Sequence, residues 1–452
     1  MISKSKRYHF IGIGGSGMSA IANVMLQLGI PVSGSDCGNA AVLEKLSSRG
    51  AVVWHEHRAE NLRGADYVVV STAIPESNLE LQTARSMGLP ILPRAKALGL
   101  LMEEKKGVAI AGSHGKTTTT SMVGTVLSAG GLEPTVIAGA EDLLTGENGR
   151  MGKGDFLVAE ADESDGSLVF LHPQLAIVTN IDNDHLDHYG TMESILTTFR
   201  EFLNGLGPDG MAFLCGDDPG VQQVLARWNG RHQLYGEGRH NDWRLESWVP
   251  LSGGSECTVS YKDQQLGRLK LNVPGKHNAL NALSAVALGM EVGLPFEGLC
   301  RSLQAFRGTR RRFELIGESG GVSIYDDYAH HPREIEATLR AARTLNPKRL
   351  LVVFQPHRYT RTAHLFQDFA KAFELADQIW LTDIYPAGEK PIPGVDARMI
   401  LDAMTTERRA KTVYASDRNE MIQQIKHVLQ PGDLLLVMGA GDIRQVGEEL
   451  SR

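Results

Sequence analysis

Short apolar runs alternate with amphipathic stretches through the first hundred residues of the chain. The runs YHFIGI, PVSGSD and ADYVVVST have the length and composition of strands. Between them, apolar residues recur at helical spacing from about Ser16 to Leu28 and from Val42 to Arg49. A strand–helix–strand series of this kind predicts a parallel sheet whose faces are covered by helices.

The alternation starts again near residue 103, in the charged run EEKK. A strand at 107–112, GVAIAG, leads into SHGKTTTT and a helix, and the strands DFLVAEAD and QLAIVTNI follow. The polar, glycine-rich region from about 206 to 275 predicts irregular or antiparallel structure, and VSIYDDYA, RLLVVFQP, QIWLTDI and DLLLVMGAG form a third series. We therefore predict an α/β protein of three domains, at residues 1–103, 104–314 and 315–452. The first and third are expected to be Rossmann-like, and the central one to resemble a P-loop ATPase.

The composition of the 452-residue chain fits a globular protein of about three domains, since 42% of the residues are hydrophobic and 22% are charged. A net charge of −7 argues against nucleic acid or a membrane surface as the main partner. The four cysteines, Cys37, Cys215, Cys257 and Cys300, are too far apart to indicate a disulfide framework or a zinc site. We expect a cytoplasmic protein, because the sequence lacks the run of about 18 apolar residues that a membrane span needs. A monomer or a homodimer is expected.

The first motif with chemical meaning is Gly12-x-Gly14-Gly15-x-Gly17, which lies between a strand and a helix and is followed by Asp36 at the end of the next strand. Glycines let the backbone approach a diphosphate, and the helix N-terminus supplies free N–H groups. The motif indicates a nucleotide diphosphate without specifying which one. An NAD site is the usual interpretation, and a tight turn without a ligand is the alternative.

A second phosphate-binding motif, Gly112-Ser-His-Gly115-Lys116-Thr117, also lies between a strand and a helix. It is a short variant of the P-loop, with two residues between its glycines where the common pattern has four. Its backbone would bind phosphates, with Lys116 on the β and γ oxygens and the Thr117 hydroxyl on Mg²⁺. An oxidoreductase has no use for this second motif. An enzyme that activates a nucleotide-linked substrate with ATP needs both.

Acidic and basic residues follow several of the later strands. The segments at 159–167 and 179–190 place carboxylates beside the P-loop, where Mg²⁺ would find oxygen ligands. A solvated loop face is the alternative for Asp182, Asp184 and Asp187, and it also stays open for Glu160. In the third series, the segments at 326–332 and 354–361 bring His, Arg and Tyr to strand ends, which is where open α/β sheets bind ligands. The arginines there suit a carboxylate or a phosphate.

Taken in order, these motifs resemble the Mur ligase family, and within it the branch that joins L-alanine to UDP-N-acetylmuramate. The resemblance covers nearly the whole chain, from HFIGIGGSGM through AGSHGKTTTT, EADESD, GKHNALNA, DDYAHHP and FQPHRYTRT to YPAGEKPIPG. It implies an ATP-dependent, ADP-forming ligase of peptidoglycan synthesis that works through an acyl phosphate. Later-acting members of the family carry a carbamylated lysine that helps to place the second metal. This chain has no lysine between Lys153 and Lys262, so that lysine is absent, as expected for the alanine-adding branch.

The resemblance also implies a role for each site residue. The UDP-linked substrate is assigned to the first domain, at Gly14, Gly15, Ser16, Gly17, Met18, Asp36, Ser71, Thr72 and Ala73. ATP is assigned to Gly112, Ser113, His114, Gly115, Lys116, Thr117, Thr118, His277, Asn278, Asn281 and Arg312. Mg²⁺, or Mn²⁺ in its place, is assigned to Thr117, Glu160 and His185. Tyr328, His330, Arg358 and Arg361 would receive alanine and the reacting groups, and Lys116, Arg312 and His330 would be catalytic.

Three other functions stay open at this stage. The nearest is a ligase that reattaches recycled murein tripeptide to UDP-N-acetylmuramate, which the run FQPHRYTRT disfavours. An NAD-dependent oxidoreductase is supported by the N-terminal glycines and Asp36 alone. A non-catalytic UDP-sugar-binding protein would bind ATP without turning it over.

Overall fold

The computed structural model of the chain describes residues 2–38 and 40–452, except the side chains of residues 186 and 187. It contains three separate sheets, which confirms the predicted three-domain α/β architecture. Two compact units are present, Met1–Ser247 with Thr258–Leu269 and Leu280–Phe306, and Trp248–Cys257 with Lys270–Ala279 and Arg307–Arg452. The domain boundaries at 103 and 314 stay predictions.

The first sheet is entirely parallel, with the strand order β3-β2-β1-β4-β5. Its strands are β1 Tyr8–Ile11, β2 Val32–Ser35, β3 Val52–Trp54, β4 Tyr67–Val70 and β5 Ile91–Pro93. Its helices are α1 Ser16–Gln27, α2 Ala40–Ser48, α3 Leu79–Ser86 and α4 Arg94–Met102. The strand order changes direction between β1 and β4, so the loops after these two strands flank the crevice where such sheets bind ligands.

The second sheet has ten strands in the order β15-β14-β13-β12-β11-β10-β6-β9-β7-β8. They are β6 Lys106–Ala111, β7 Thr135–Ile137, β8 Gly149–Arg150, β9 Phe156–Glu160, β10 Leu175–Val178, β11 Met211–Cys215, β12 His232–Gly236, β13 Trp243–Leu251, β14 Gly254–Tyr261 and β15 Gln264–Leu271. The helices are α5 Lys116–Ala129, α6 Leu186–Tyr189, α7 Met192–Asn204, α8 Pro219–Leu225, α9 Lys276–Glu291 and α10 Phe296–Ala305. Strand β6 runs parallel to both of its neighbours, β9 and β10, so the loops after these three strands lie at one edge of the sheet.

The third sheet has the order β16-β17-β21-β18-β19-β20 and is parallel except at β16. Its strands are β16 Glu314–Ser319, β17 Val322–Asp327, β18 Leu350–Phe354, β19 Gln378–Leu381, β20 Thr412–Tyr414 and β21 Leu434–Met438. Its helices are α11 Pro332–Arg343, α12 Tyr359–Ala372, α13 Arg398–Ala403, α14 Thr406–Ala410, α15 Arg418–Val428 and α16 Arg444–Leu450. The uniformly apolar strands β18 and β21 are buried at every residue, as expected for the centre of a parallel sheet.

The first two sheets share one hydrophobic core. Helix α1 contributes Met18 and Ile21, and the second sheet contributes Ile137 and Leu157. Helix α1 also contacts β7 and β8 directly. The N-terminal and central domains are therefore packed together within one unit. Among the helices in the described part of the chain, none combines the length and apolar character that crossing a membrane requires.

Candidate functional site

The glycine loop between β1 and α1 is held in shape by a carboxylate. Gly12 adopts φ +78°, which favours glycine. The N–H of Gly14 donates to Oδ2 of Asp36 at 2.9 Å, and the N–H of Gly38 donates to Oδ1 at 2.8 Å. The structure thus places Asp36 against the loop, where it fixes the backbone. Its role as a substrate ligand stays a prediction, as do those of Gly14, Gly15, Ser16, Gly17 and Met18.

Arg94, the first residue of α4, lies across the start of α1. A Cβ on Gly17 would lie 3.0 Å from Nη1 of Arg94, so the glycine leaves room for the guanidinium. Nη2 of Arg94 donates to Oδ2 of Asp162, in the central domain, at 2.8 Å. Arg94 is not recognisable from the sequence, because a single arginine at a helix start belongs to no motif.

The predicted residues Ser71, Thr72 and Ala73 follow β4, on the other side of the crevice from the glycine loop. Thr72 and Ala73 are exposed, and Ser71 is half-buried. The Thr72 hydroxyl donates to Oδ2 of Asp165 at 3.4 Å. The two segments assigned to the UDP-linked substrate therefore lie after adjacent parallel strands.

The P-loop joins β6 to α5 and is held by residues that follow β10. The N–H of Ser113 donates to the carbonyl oxygen of Asn180 at 3.0 Å, and the Ser113 hydroxyl accepts the N–H of Asp182 at 2.8 Å. The carbonyl oxygen of His114 accepts from the Thr179 hydroxyl at 2.6 Å and from the Asn180 amide at 2.9 Å. These contacts fix the loop before any phosphate arrives, and α5 directs its free N–H groups toward it.

Gly112 has no room for a side chain. Its φ is +135°, and a Cβ would overlap the Thr179 hydroxyl and lie 3.0 Å from the carbonyl oxygen of Asn180. Thr179 has little freedom to move away, because its hydroxyl donates to the carbonyl oxygens of His114, at 2.6 Å, and Ala111, at 3.3 Å.

We expect Gly112→Ala to lower the free energy of unfolding by about 1–3 kcal/mol more than a control glycine substitution, because of this crowding. The control is Gly131→Ala, since Gly131 also has a positive φ, +76°, but nothing lies within 4 Å of its Cβ position. Urea unfolding of both variants measures the difference. Equal losses would show that the loop is not crowded at Gly112.

Lys116 lies in a buried charged cluster at the start of α5. Its ammonium donates to the carbonyl oxygens of Gly112 and Ser113, at 2.7 and 3.1 Å, and to Oε1 of Glu163 at 2.9 Å. Burial disfavours the charged ammonium, but the pKa of Lys116 is raised because Glu163, Asp162 and other carboxylates outweigh that effect. The lysine is therefore positively charged at neutral pH, as binding to a triphosphate requires.

Two carboxylates beside Lys116 have opposite pKa shifts. Burial raises the pKa of Glu163 to about 8, against the attraction of Lys116. Burial opposes ionisation of Asp162 as well, but the charges of Arg94 and Lys116 outweigh it and hold its pKa at about 2. Asp162 is thus negatively charged at neutral pH, and it lies between Arg94 of the N-terminal domain and Lys116 of the P-loop. Asp162 and Glu163 lie within the motif EADESD, which by itself assigns a role to neither.

Thr117 and Glu160 come together as the sequence predicts. The Thr117 hydroxyl donates to Oε2 of Glu160 at 2.9 Å, and the N–H of Gly139 donates to the same oxygen at 2.8 Å. A hydroxyl and a carboxylate oxygen at the end of a P-loop fit a hard cation such as Mg²⁺. His185 is the third predicted metal ligand. Its Nε2 lies 3.8 Å from Oε1 of Glu163, within the cluster around Lys116.

The acidic segment at 179–190 is not a solvated loop face at Asp182 and Asp184, because both side chains are buried. Asp182 approaches Nε2 of His114 at 3.2 Å. The solvated alternative is therefore wrong for these two residues, and the side chain of Asp187 lies outside the described part of the chain. The physical reason is that the segment packs against the P-loop backbone, as the contacts of Ser113 show.

The residues predicted to face adenine lie on α9. Asn281 is buried next to the P-loop, since a Cβ on Gly115 would lie 3.0 Å from its Oδ1. Asn278 is buried at the start of the helix and donates to the carbonyl oxygen of Pro274 at 2.7 Å. Gly115 has φ +83° and forms the N-cap of α5. The geometry therefore brings Asn281 to the phosphate loop, while the adenine contacts of His277 and Asn278 stay predictions.

In the second unit, aromatic and basic side chains gather at the ends of β17 and β18. The guanidinium carbons of Arg311 and Arg312 lie 4.9 and 5.2 Å from the ring centre of Tyr328. The ring of His330 lies 5.3 Å from that of Tyr328 and 5.7 Å from that of His357. Three of the predicted residues, Arg312, Tyr328 and His330, are thus neighbours. Arg311 and His357 were not assigned a role from the sequence.

The two arginines of the FQPHRYTR segment are held near the same histidine. Nη1 of Arg361 lies 3.4 Å from Nδ1 of His357, and the Arg361 side chain is buried. Arg358, the N-cap of α12, adopts φ +71°, and its N–H donates to the carbonyl oxygen of Tyr385 at 2.9 Å. The ring of Tyr385 stacks on that of His357 at 5.7 Å. Burial, and after it electrostatic interaction with His330 and the arginines, lowers the pKa of His357 to about 2.

A second histidine of this unit, His277, should make stability depend on pH. Burial, assisted by the charge of Arg312, lowers its pKa from 6.5 to about 4. Between these pH values the unfolded chain binds a proton that the folded chain does not. The contribution of His277 to the free energy of unfolding is therefore fully present above pH 6.5, and it falls as the pH is lowered toward 4.

We expect His277→Asn to weaken the loss of stability between pH 6.5 and 4, measured as the shift of the urea midpoint. The control is His427→Asn, because His427 is exposed in the same unit. It should leave the pH dependence as in the parent protein. If His277→Asn and His427→Asn show the same dependence on pH, His277 is not held neutral by the fold.

Comparisons with known proteins cover the whole chain. Three family models match, described as Mur ligase family catalytic domain over residues 7–106, Mur ligase middle domain over 110–289, and Mur ligase glutamate ligase domain over 311–441. A UDP-N-acetylmuramate–L-alanine ligase of Geobacter sp. strain M21 is 48% identical, over 100% of this chain and 98% of that protein. A protein of the same name from Pelotomaculum thermopropionicum is 47% identical, over 99% and 98%.

Solved structures resemble the chain over its full length. The crystal structure of UDP-N-acetylmuramate-alanine ligase from Thermotoga maritima aligns with a TM-score of 0.84 and 29% identity, over 98% of each chain. A murein peptide ligase from Psychrobacter arcticus aligns with a TM-score of 0.74 and 24% identity, also over 98% of each chain. The second likeness supports the fold alone.

Proposed function

Because the chain belongs to the Mur ligase family, we propose that it joins L-alanine to the carboxylate of UDP-N-acetylmuramate, with ATP converted to ADP and phosphate. One observation carries the proposal. A single unit holds a glycine loop suited to a nucleotide diphosphate and a P-loop with a buried, charged lysine, Lys116. Full-length relatives that are 44–48% identical carry the name of this activity.

The N-terminal domain would bind the uridine diphosphate part of the substrate, through the glycine loop and the segment Ser71–Ala73. The central domain would bind ATP. Thr117 and Glu160 would hold Mg²⁺, or Mn²⁺, and the ion would supply positive charge to the phosphate oxygens. We propose a cytoplasmic location, where both nucleotides are made, and a monomer or a homodimer.

The reaction requires activation because a carboxylate at neutral pH is a poor acyl donor. In the first step, an oxygen of the muramate carboxylate attacks the γ-phosphorus of ATP, and the bond from that phosphorus to the bridging oxygen breaks to release ADP. Lys116 and the N–H groups at the start of α5 stabilise the negative charge that spreads over the phosphoryl oxygens. The product of this step is an acyl phosphate.

In the second step, the neutral amine of L-alanine attacks the acyl carbon. The bond from carbon to the phosphate oxygen breaks, so phosphate leaves and an amide remains. The amine proton must be accepted by a base, and His330 is our proposed acceptor. The roles of His330, Tyr328, Arg358 and Arg361 toward alanine, and of Arg312 toward the phosphates, rest on the likeness of their motifs to the family.

Phosphate release from ATP tests the proposal directly. The purified protein is supplied with Mg²⁺, ATP and UDP-N-acetylmuramate, and with L-alanine, glycine, L-serine or the murein tripeptide as acceptor. We expect the highest kcat/KM with L-alanine. Preference for the tripeptide would identify a recycling ligase. Reduction of NAD by candidate alcohols without ADP formation would identify an oxidoreductase, and ATP binding without turnover would identify a binding protein.

A further inference from the structure

In the part of the chain that the structure describes, three ion pairs connect the N-terminal domain to the central domain within the first unit. One of them joins Nζ of Lys45 to Oε1 of Glu141 at 3.7 Å, and arginines form the other two. Nη2 of Arg49 lies 2.6 Å from Oε1 of Glu147, and Nη2 of Arg94 lies 2.8 Å from Oδ2 of Asp162. Both are arginine–carboxylate pairs that join the same two domains. They differ in what surrounds them, because the second pair lies beside both phosphate-binding loops.

On the N-terminal side, the two terminal nitrogens of the Arg94 guanidinium have different neighbours. Nη2 holds Asp162, while Nη1 lies 3.0 Å from where a Cβ on Gly17 would be, in the first turn of α1. A planar guanidinium can donate to two oxygens at once, so Nη1 can bind a second oxygen while Nη2 holds Asp162. Nη1 thus lies beside the first turn of α1, next to the glycine loop.

On the central side, Asp162 is adjacent in sequence to Glu163, which contacts Lys116 at 2.8 Å. Contacts and chain neighbours therefore connect the glycine loop to the P-loop without a break, in the order Arg94, Asp162, Glu163, Lys116.

We propose that the Arg94–Asp162 ion pair couples the binding of UDP-N-acetylmuramate to the binding of ATP. The inference rests on the proposed function. A substrate oxygen on Nη1 fixes the guanidinium, the guanidinium fixes Asp162, and the ordered segment holds Glu163 and Lys116 in position for the triphosphate. The first ligand bears the ordering cost of these shared side chains, so the second binds more tightly. The coupling is reciprocal, so each nucleotide raises the affinity for the other by the same factor.

Calorimetric titration of the full chain with UDP-N-acetylmuramate tests the coupling, in the absence and presence of a saturating non-hydrolysable ATP analogue with Mg²⁺. In the parent protein we expect Kd to fall at least about fivefold when the analogue is present. In Arg94→Gln the ratio of the two Kd values should be close to one. Arg94→Lys should recover part of the ratio, because a positive charge remains next to Asp162.

Arg49→Gln is the matched control, since it removes an interdomain arginine–carboxylate pair that includes no residue of either motif and should keep the parental ratio. A ratio near one in the parent protein, a parental ratio in Arg94→Gln, or an equal loss in Arg49→Gln would each overturn the coupling. Circular dichroism and Tm verify that the variants fold. If the parent protein did not bind UDP-N-acetylmuramate at all, the proposed function itself would be overturned.

Discussion

Lys116→Ala is expected to lower kcat/KM for ATP by about a hundred- to a thousandfold, which is the usual loss when one preorganised donor to a developing negative charge is removed. The parent lysine is buried and carries its charge between Glu163 and the loop carbonyl groups. Its position is set by the first turn of α5. Water entering the space left by the side chain would not supply a fixed positive charge. Initial rates of ADP formation at varied ATP concentration give the comparison.

Lys153→Ala is the control for this prediction, because Lys153 is an exposed lysine of the same domain. Its kcat/KM should stay within about twofold of the parent value, as for most surface substitutions. If Lys116→Ala turned over ATP at nearly the parental rate, the assignment of the P-loop to the triphosphate would be wrong.

Glu160→Gln is expected to lower kcat by about a hundredfold and to raise the Mg²⁺ concentration needed for half-maximal rate, because a neutral amide is a poor ligand for a hard cation. The glutamine keeps the size of the side chain and an oxygen that can accept from Thr117 and Gly139, as Glu160 does at 2.9 and 2.8 Å. The loss should therefore reflect charge rather than shape. Rates measured across a Mg²⁺ titration separate the two quantities.

Glu201→Gln serves as the comparison for Glu160→Gln, because Glu201 is exposed on α7. It should leave both kcat and the Mg²⁺ requirement unchanged. A Glu160→Gln variant with reduced kcat but an unaltered Mg²⁺ requirement would show that Glu160 positions the loop and does not bind the cation.

Strong local patterns predicted much of the fold. The helix expected from about Ser16 to Leu28 is found at Ser16–Gln27, and Gly29 follows it with φ +75°, the conformation that commonly ends a helix. The strand expected at 107–112 is found at Lys106–Ala111. These elements combine a clear apolar period with glycine at their ends, so local sequence determines them. The polar region from 206 to 275 has no such period, yet β11 to β15 form within it by pairing along one sheet.

The site was predicted where a motif places its residues next to each other in sequence, as for Lys116 and Thr117, or at the ends of adjacent strands, as for Glu160. Arg94 could not be found in this way. Its partner Asp162 is in a different domain, and nothing in the spacing of the two residues indicates that they meet. For Asp182 the sequence left a solvated loop face open as an alternative, because burial by the P-loop depends on the order of strands in the sheet.

The central claim is that the muramate carboxylate is phosphorylated before alanine arrives. UDP-N-acetylmuramate labelled with ¹⁸O in both carboxylate oxygens tests this claim most directly, with the released phosphate analysed by mass spectrometry. Each phosphate molecule is predicted to carry one ¹⁸O atom, because the oxygen that attacks the γ-phosphorus leaves with it. Unlabelled phosphate, with the peptide product formed at the normal rate, would contradict the account.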